Sequence, residues 1–83
     1  MTSIAYKESV ARDLKLIDKN KAKLLLDQLE EILGRNPDAG EHLKGEFGGL
    51  YKLRIGDYRV IYSKVSNGVL VLRVGHRSKV YER

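Results

Sequence analysis

Cysteine is absent from the 83 residues, which removes disulfide frameworks, thiolate metal sites and a cysteine nucleophile together. No apolar run approaches the length of a membrane span. Met1-Thr2-Ser3 passes at once into mixed polar sequence, without the basic-then-apolar order of a signal peptide. The expected location is therefore the cytoplasm, with no membrane partner. No group of His, Asp and Glu has ligand spacing and no glycine-rich phosphate loop occurs, so neither a metal nor a nucleotide cofactor is expected. Internal repeats and low-complexity tracts are missing as well. A chain of this length is expected to form one domain over residues 1–83 around a single modest core.

Charge, by contrast, is abundant and unevenly placed. The formal net charge is +5, but residues 1–49 carry 8 Lys and Arg against 9 Asp and Glu, a net of −1. Residues 50–83 carry 8 against 2, a net of +6. A basic C-terminal half on a near-neutral N-terminal half is the electrostatic footprint of a polyanion partner, most often nucleic acid.

That half is organised by Leu50–Tyr62. Gly56-Asp57 is a glycine-first pair, which suits a two-residue II′ hairpin turn because glycine alone accepts positive φ there without steric strain. The turn sets Ile55 opposite Tyr58, Arg54 opposite Arg59, Leu53 opposite Val60 and Lys52 opposite Ile61. One face then carries Tyr51, Leu53, Ile55, Tyr58, Val60 and Tyr62. The other carries Lys52, Arg54, Arg59 and Ile61. Two arginines directly across a strand pair destabilise it, a local cost that an anion would relieve.

Ahead of the hairpin, Ser3-Ile4-Ala5-Tyr6 is predicted as an edge strand or an extended arm. Val10, Leu14 and Ile17 recur at helical spacing, with Asp13 among the residues assigned to the outside. Asp18 or Asn20 can cap a second helix. Its stripe of Ala22, Leu25, Leu26, Leu29, Ile32 and Leu33 is the clearest periodic signal in the chain. Gly34 is expected to end that helix in a left-handed cap, with Asn36-Pro37 blocking continuation. Residues 38–49 read as an ordered loop pinned by Leu43. At Ser66-Asn67-Gly68 a three-residue turn is preferred over a two-residue Asn-Gly turn, because it sets Leu70, Leu72 and Val74 on the apolar face and Arg73 beside Lys52, Arg54 and Arg59. The predicted architecture is α+β: an antiparallel helix hairpin on one face of a small antiparallel sheet of three or four strands.

A face bearing Lys52, Arg54, Arg59 and Arg73, with Arg77 and Lys79 following, suits a phosphodiester, since guanidinium groups bind phosphate oxygens in a bidentate fork. Cleaving RNA without metal requires in addition a base for the 2′-hydroxyl, an acid for the 5′-oxygen and cations around the phosphorane. Tyr81 is one candidate, because a crowd of cations favours the ionised phenol. His76 is another, since an imidazole titrates near about 6.5 without help. Glu41 could serve as a base but reads better as a solvated loop charge, and nothing in the spacing pairs His42 with His76.

Leu43-Lys44-Gly45, Leu50-Tyr51-Lys52-Leu53-Arg54, Gly56-Asp57-Tyr58-Arg59-Val60-Ile61-Tyr62 and Val74-Gly75-His76-Arg77, followed by Val80-Tyr81, form an ordered set that resembles RelE-type toxins of bacterial and archaeal toxin–antitoxin pairs. The resemblance spans essentially the whole chain. It implies a ribosome-dependent endoribonuclease acting on mRNA in the decoding site, by 2′-hydroxyl attack that leaves a cyclic phosphate and a 5′-hydroxyl. It also implies neutralisation by a cognate antitoxin in a hetero-oligomeric complex. By the same resemblance Lys52, Arg59, Arg77 and Tyr81 match family residues of the catalytic set. Arg54 stands where the best-known member has a second lysine, and arginine is a far poorer proton donor or acceptor. The spacing from Arg77 to Tyr81 is shorter than in that member, so His76 can take part of the tyrosine's role. Related toxins on this scaffold act on DNA gyrase and lack the cationic and tyrosine set. A gyrase-inhibiting toxin and a non-catalytic domain that binds RNA or antitoxin are the alternatives.

Overall fold

The computed structural model describes residues 2–43 and 49–76. Its elements are β1 (Ser3–Tyr6), α1 (Glu8–Lys15), α2 (Lys19–Arg35), β2 (Glu41–His42), β3 (Tyr51–Ile55), β4 (Tyr58–Val65) and β5 (Gly68–His76). The strands make one sheet in the order β1-β5-β4-β3-β2. Neighbours are antiparallel except β1, which runs parallel to β5. Five strands thus replace the expected three or four. The addition is β2, a two-residue edge inside the segment predicted as loop.

The first hairpin has the predicted register, from Ile55 opposite Tyr58 to Lys52 opposite Ile61. Gly56 sits at φ +59, while no described non-glycine residue has positive φ, as a glycine-first turn requires. The second hairpin departs from both predicted turns. Val65 pairs with Gly68, so the loop is Ser66-Asn67. Gly68 belongs to the strand because β1 runs against it: a Cβ there would lie 2.0 Å from the Ser3 carbonyl oxygen. Close backbone approach uses the glycine, and the turn does without it. The phase is then corrected by a bulge, with Tyr62 opposite Val71 and Ile61 opposite Arg73, leaving Leu72 as the extra residue. Val69, Val71 and Val74, rather than Leu70, Leu72 and Val74, therefore enter the core.

Helices α1 and α2 cover one face of the sheet. Val10, Leu25, Leu29 and Leu33 bury themselves against Leu53, Ile55, Val60, Tyr62, Val69, Val71 and Val74. Burying each such side chain contributes roughly 1.5–3 kcal/mol relative to exposure. Asp18 caps α2, accepting from the backbone N–H groups of Asn20 at 3.1 Å and Lys21 at 3.3 Å. Gly34 does not end that helix, which continues to Arg35; the cap is Asn36, in extended conformation. Gly34 is buried, and its carbonyl accepts from the Thr2 N–H at 3.1 Å. Termination falls to Asn36-Pro37, since proline holds its predecessor out of the α region.

Two buried polar contacts fasten the layers. Asp13, only 8% exposed, accepts from Arg73 Nε at 2.8 Å, Arg73 Nη2 at 2.9 Å and the Val74 N–H at 2.9 Å. β1 pairs with β5 only as far as Val71, so beyond that point α1 satisfies the strand's outer edge through this carboxylate. Burial opposes ionisation of Asp13, but the hydrogen bonds from Arg73 and Val74, with the charges of Arg73 and Arg12, outweigh it and hold the carboxyl below the usual carboxylate range. At the other end, the fully buried Tyr62 donates to the Pro37 carbonyl at 2.8 Å and accepts from the Gly40 N–H at 3.0 Å.

Removing that hydroxyl in Tyr62→Phe leaves a donor and an acceptor unsatisfied, and should lower unfolding free energy in urea by about 1–3 kcal/mol. Asp13→Asn should lose a similar amount, about 1–3 kcal/mol, at pH 7. Because Asp13's folded value is depressed, its contribution is complete above the unfolded carboxylate value near about 4 and disappears as pH falls through the folded value. Urea titrations across that range should show wild type and Asp13→Asn converging in acid.

Candidate functional site

Strand alternation decides which predicted residues share a surface. Leu53, Ile55, Val60 and Tyr62 face the helices, so Lys52, Arg54 and Arg59 face away from them. Arg54 is exposed, Arg59 half-buried and in register with it. The Lys52 side chain is 24% exposed and its Nζ lies 3.5 Å from Glu41 Oε1 on the neighbouring strand. Glu41 is thus the cross-strand partner of Lys52, with its own side chain 76% exposed. The cluster has a two-strand base fixed by the Gly56 turn, which makes its spacing a property of the sheet rather than of a loop.

Arg73 is not simply a fourth member of this cluster. It pairs with Ile61 in the sheet, yet its guanidinium turns to the outer edge of β5 and is held there by Asp13. That hydrogen bond raises its pKa further above the ordinary arginine value. His76 pairs with Tyr58, whose side chain packs against the core, so the two rings lie on the helix side of the sheet. They meet edge to face at 6.1 Å. The structure therefore separates His76 from the Arg54 and Arg59 surface by the thickness of the sheet. Arg77, Lys79 and Tyr81, like Lys44 and Gly45, lie outside the described residues.

His42 and His76 are not brought together. His42 pairs with Tyr51 on the β2 edge, its ring 5.0 Å from that tyrosine, whereas His76 ends β5, three strands further on. Tyr51 in turn stacks on Tyr62 at 5.4 Å, with Lys64 Nζ 5.4 Å from the Tyr51 ring. Lys64 also pairs with Asp38, whose hydrogen bond raises the lysine pKa. Among the described residues no three His, Asp or Glu side chains group closely enough to hold a metal ion.

Sequence reasoning missed Asp13 as a structural group. Its signal was available: three residues after Val10 and one before Leu14, it falls on the apolar side of α1. A carboxylate in that position requires a buried partner. Arg73 is that partner, but only a β5 bulge and an edge left open by β1 bring the two together.

The sequence matches the family described as ParE toxin of type II toxin–antitoxin system, parDE, over residues 4–81. No curated protein matches it. Among solved structures it is similar to the toxin–antitoxin complex RelBE2 of Mycobacterium tuberculosis, with 26% identity, 92% of this chain and 98% of that chain covered, and a TM-score of 0.85. The archaeal RelE–RelB complex of Pyrococcus horikoshii gives 26% identity, 95% and 98% coverage and a TM-score of 0.71. The intact RelBE complex of E. coli, at 22% identity, shares the fold over 92% and 96% with a TM-score of 0.70. With a family match across nearly the whole chain and RelE folds superposing on it, the protein is a RelE-type member of the RelE/ParE superfamily of type II toxin–antitoxin toxins.

Proposed function

We propose that the toxin is a ribosome-dependent endoribonuclease that cuts mRNA, acts in the cytoplasm and is neutralised by a cognate antitoxin in a hetero-oligomeric complex. The observation that carries this reading is the in-register opposition of Arg54 and Arg59, beside Lys52, on the sheet face turned away from the helices. Two arginines opposed in register on adjacent strands can both direct charge at a dianionic phosphorane bound on that face. Their interaction with substrate therefore strengthens as charge develops in the transition state.

In the proposed reaction the 2′-hydroxyl loses its proton to a base and its oxygen attacks the adjacent phosphorus. The P–O5′ bond breaks, an acid protonates the departing oxygen, and a 2′,3′-cyclic phosphate and a 5′-hydroxyl result. Arg54 and Arg59 bind the non-bridging oxygens, and Lys52 adds charge from the same face. The acid and base are sought between Tyr81 and Lys52, with Tyr81 preferred as base; His76, the third candidate, lies on the other side of the sheet from the arginine pair. Arg77 and Lys79 extend the RNA contact along the chain. Arg54 contributes charge and hydrogen bonds, because a guanidinium does not give up its proton at neutral pH.

A gyrase-directed reading draws on one observation, the match to the ParE family. The two readings differ in what cells lose first. Brief induction followed by mapping of mRNA ends should reveal cuts that require translation and vanish in Arg59→Ala and Tyr81→Phe. Intact mRNA with arrested supercoiling would instead favour gyrase.

The Arg pair also allows activity and stability to be separated. Arg54→Thr removes a cross-strand repulsion and should raise unfolding free energy by about 0.2–1 kcal/mol, measured in urea. The same substitution should lower mRNA cleavage by roughly 100-fold or more.

A further inference from the structure

A second surface lies around the sheet edge from the arginine pair. A cleft of about 490 Å³ opens between the α1–α2 connection and the end of β5, with Leu16, Ile17, Tyr58, Arg73, Gly75 and His76 on its walls. This volume falls in the range of small-molecule sites. Leu16 is 87% exposed, an unusual position for a large aliphatic side chain in a protein with so small a core. Gly75, at the cleft wall, pairs directly with Arg59, so only the backbone of β5 and β4 separates this cleft from the candidate catalytic face.

The chemistry of the cleft is set by how Arg73 is held. A guanidinium has five N–H donors, and Asp13 takes Nε–H and one from Nη2. Three remain, two on Nη1 and one on Nη2, with no acceptor among the described residues. The side chain is 50% exposed, so this outer edge is available to a ligand with its plane already fixed. The Asp13 carboxylate neutralises the charge, which weakens attraction for a bare phosphate. A second carboxylate from a protein partner would leave two anions sharing one guanidinium. A neutral ligand with two adjacent acceptors avoids both penalties.

We propose that this cleft binds an unpaired guanine of the RNA substrate, its O6 and N7 accepting from the outer edge of Arg73 and its ring lying between Leu16 and the Tyr58–His76 pair. Guanine is singled out because O6 and N7 present two acceptors side by side, the pattern an arginine fork reads. Adenine offers N7 beside an amino donor, and Asp13, already accepting three hydrogen bonds, is not placed to receive it. Apolar and aromatic walls supply the stacking that single-stranded RNA recognition uses. The inference deepens the endoribonuclease reading by giving it a base preference near the cut, and it rests on RNA being the substrate.

The test uses the isotope-labelled toxin and free mononucleotides, so it needs neither ribosome nor cleavage. Guanosine 5′-monophosphate should shift the signals of Arg73 Nε–H, Val74, Gly75 and Leu16, and bind at least about tenfold more tightly than adenosine 5′-monophosphate. Arg73→Lys, which keeps the charge and loses the fork, should abolish the preference. Leu16→Glu, at an exposed position that leaves the core intact, should weaken guanosine 5′-monophosphate binding by replacing the apolar wall on which the ring lies with a charge. Equal response to both nucleotides, no response at about 10 mM, or unchanged binding in both variants overturns the proposal. So does displacement of these signals by an antitoxin peptide alone, which would make the cleft a protein site. Guanine binding without mRNA cleavage in cells would sink the nuclease reading and leave the cleft assigned; cleavage without guanine binding would do the reverse.

Discussion

The carboxylate of Asp13 is the point on which the helix layer and the sheet depend together. It sits on the apolar side of α1 and takes three hydrogen bonds, two from Arg73 and one from the backbone of Val74. Without it the outer edge of β5 beyond Val71 would present an unpaired N–H, because β1 is too short to reach. A buried carboxylate is tolerable only when hydrogen-bonded and charge-compensated, and here one arginine and one amide meet both conditions. The same contact turns Arg73 away from the other cations and towards the cleft beside Tyr58.

The two surfaces that result differ in kind. Lys52, Arg54 and Arg59 form a charged platform whose spacing is imposed by strand pairing. Like charges opposed in register are a local conflict of the sort that proteins retain at functional sites. The Arg73 cleft is charge-neutral, walled by aliphatic and aromatic groups, and selects by shape and hydrogen-bond pattern. An enzyme acting on a polyanion gains from both: one surface to stabilise the reacting phosphate, another to choose which phosphate that is.

Membership of the RelE/ParE superfamily fixes the scaffold and the toxin character of the chain. The choice between mRNA and gyrase rests on side chains instead, since one fold carries either activity by changing what its surface presents. The proposed RNA reading draws on the opposed Arg54 and Arg59.

Periodicity and turn chemistry made much of this structure legible in the sequence. The stripe from Ala22 to Leu33, the Gly56-Asp57 turn and the register from Tyr51 to Tyr62 are local patterns, and a local pattern with only one comfortable geometry is readable from the chain. The resemblance to RelE-type toxins was legible for the same reason, because much of its motif set lies along β3, β4 and β5. Three features were decided by tertiary contact. Gly68 was reserved for the close approach of Ser3, which moved the second turn and made a bulge at Leu72 necessary. Gly34 stayed helical because Thr2 docks on its carbonyl, leaving Asn36-Pro37 to end the helix. Asp13 captured Arg73 across sixty residues of chain, removing it from the face to which alternation alone had assigned it. The sequence by itself determined where strands and helices form and that two arginines must oppose each other; only the packing of β1 and α1 against β5 decided which cations gather and which one is held apart, because those contacts join residues that no local period relates.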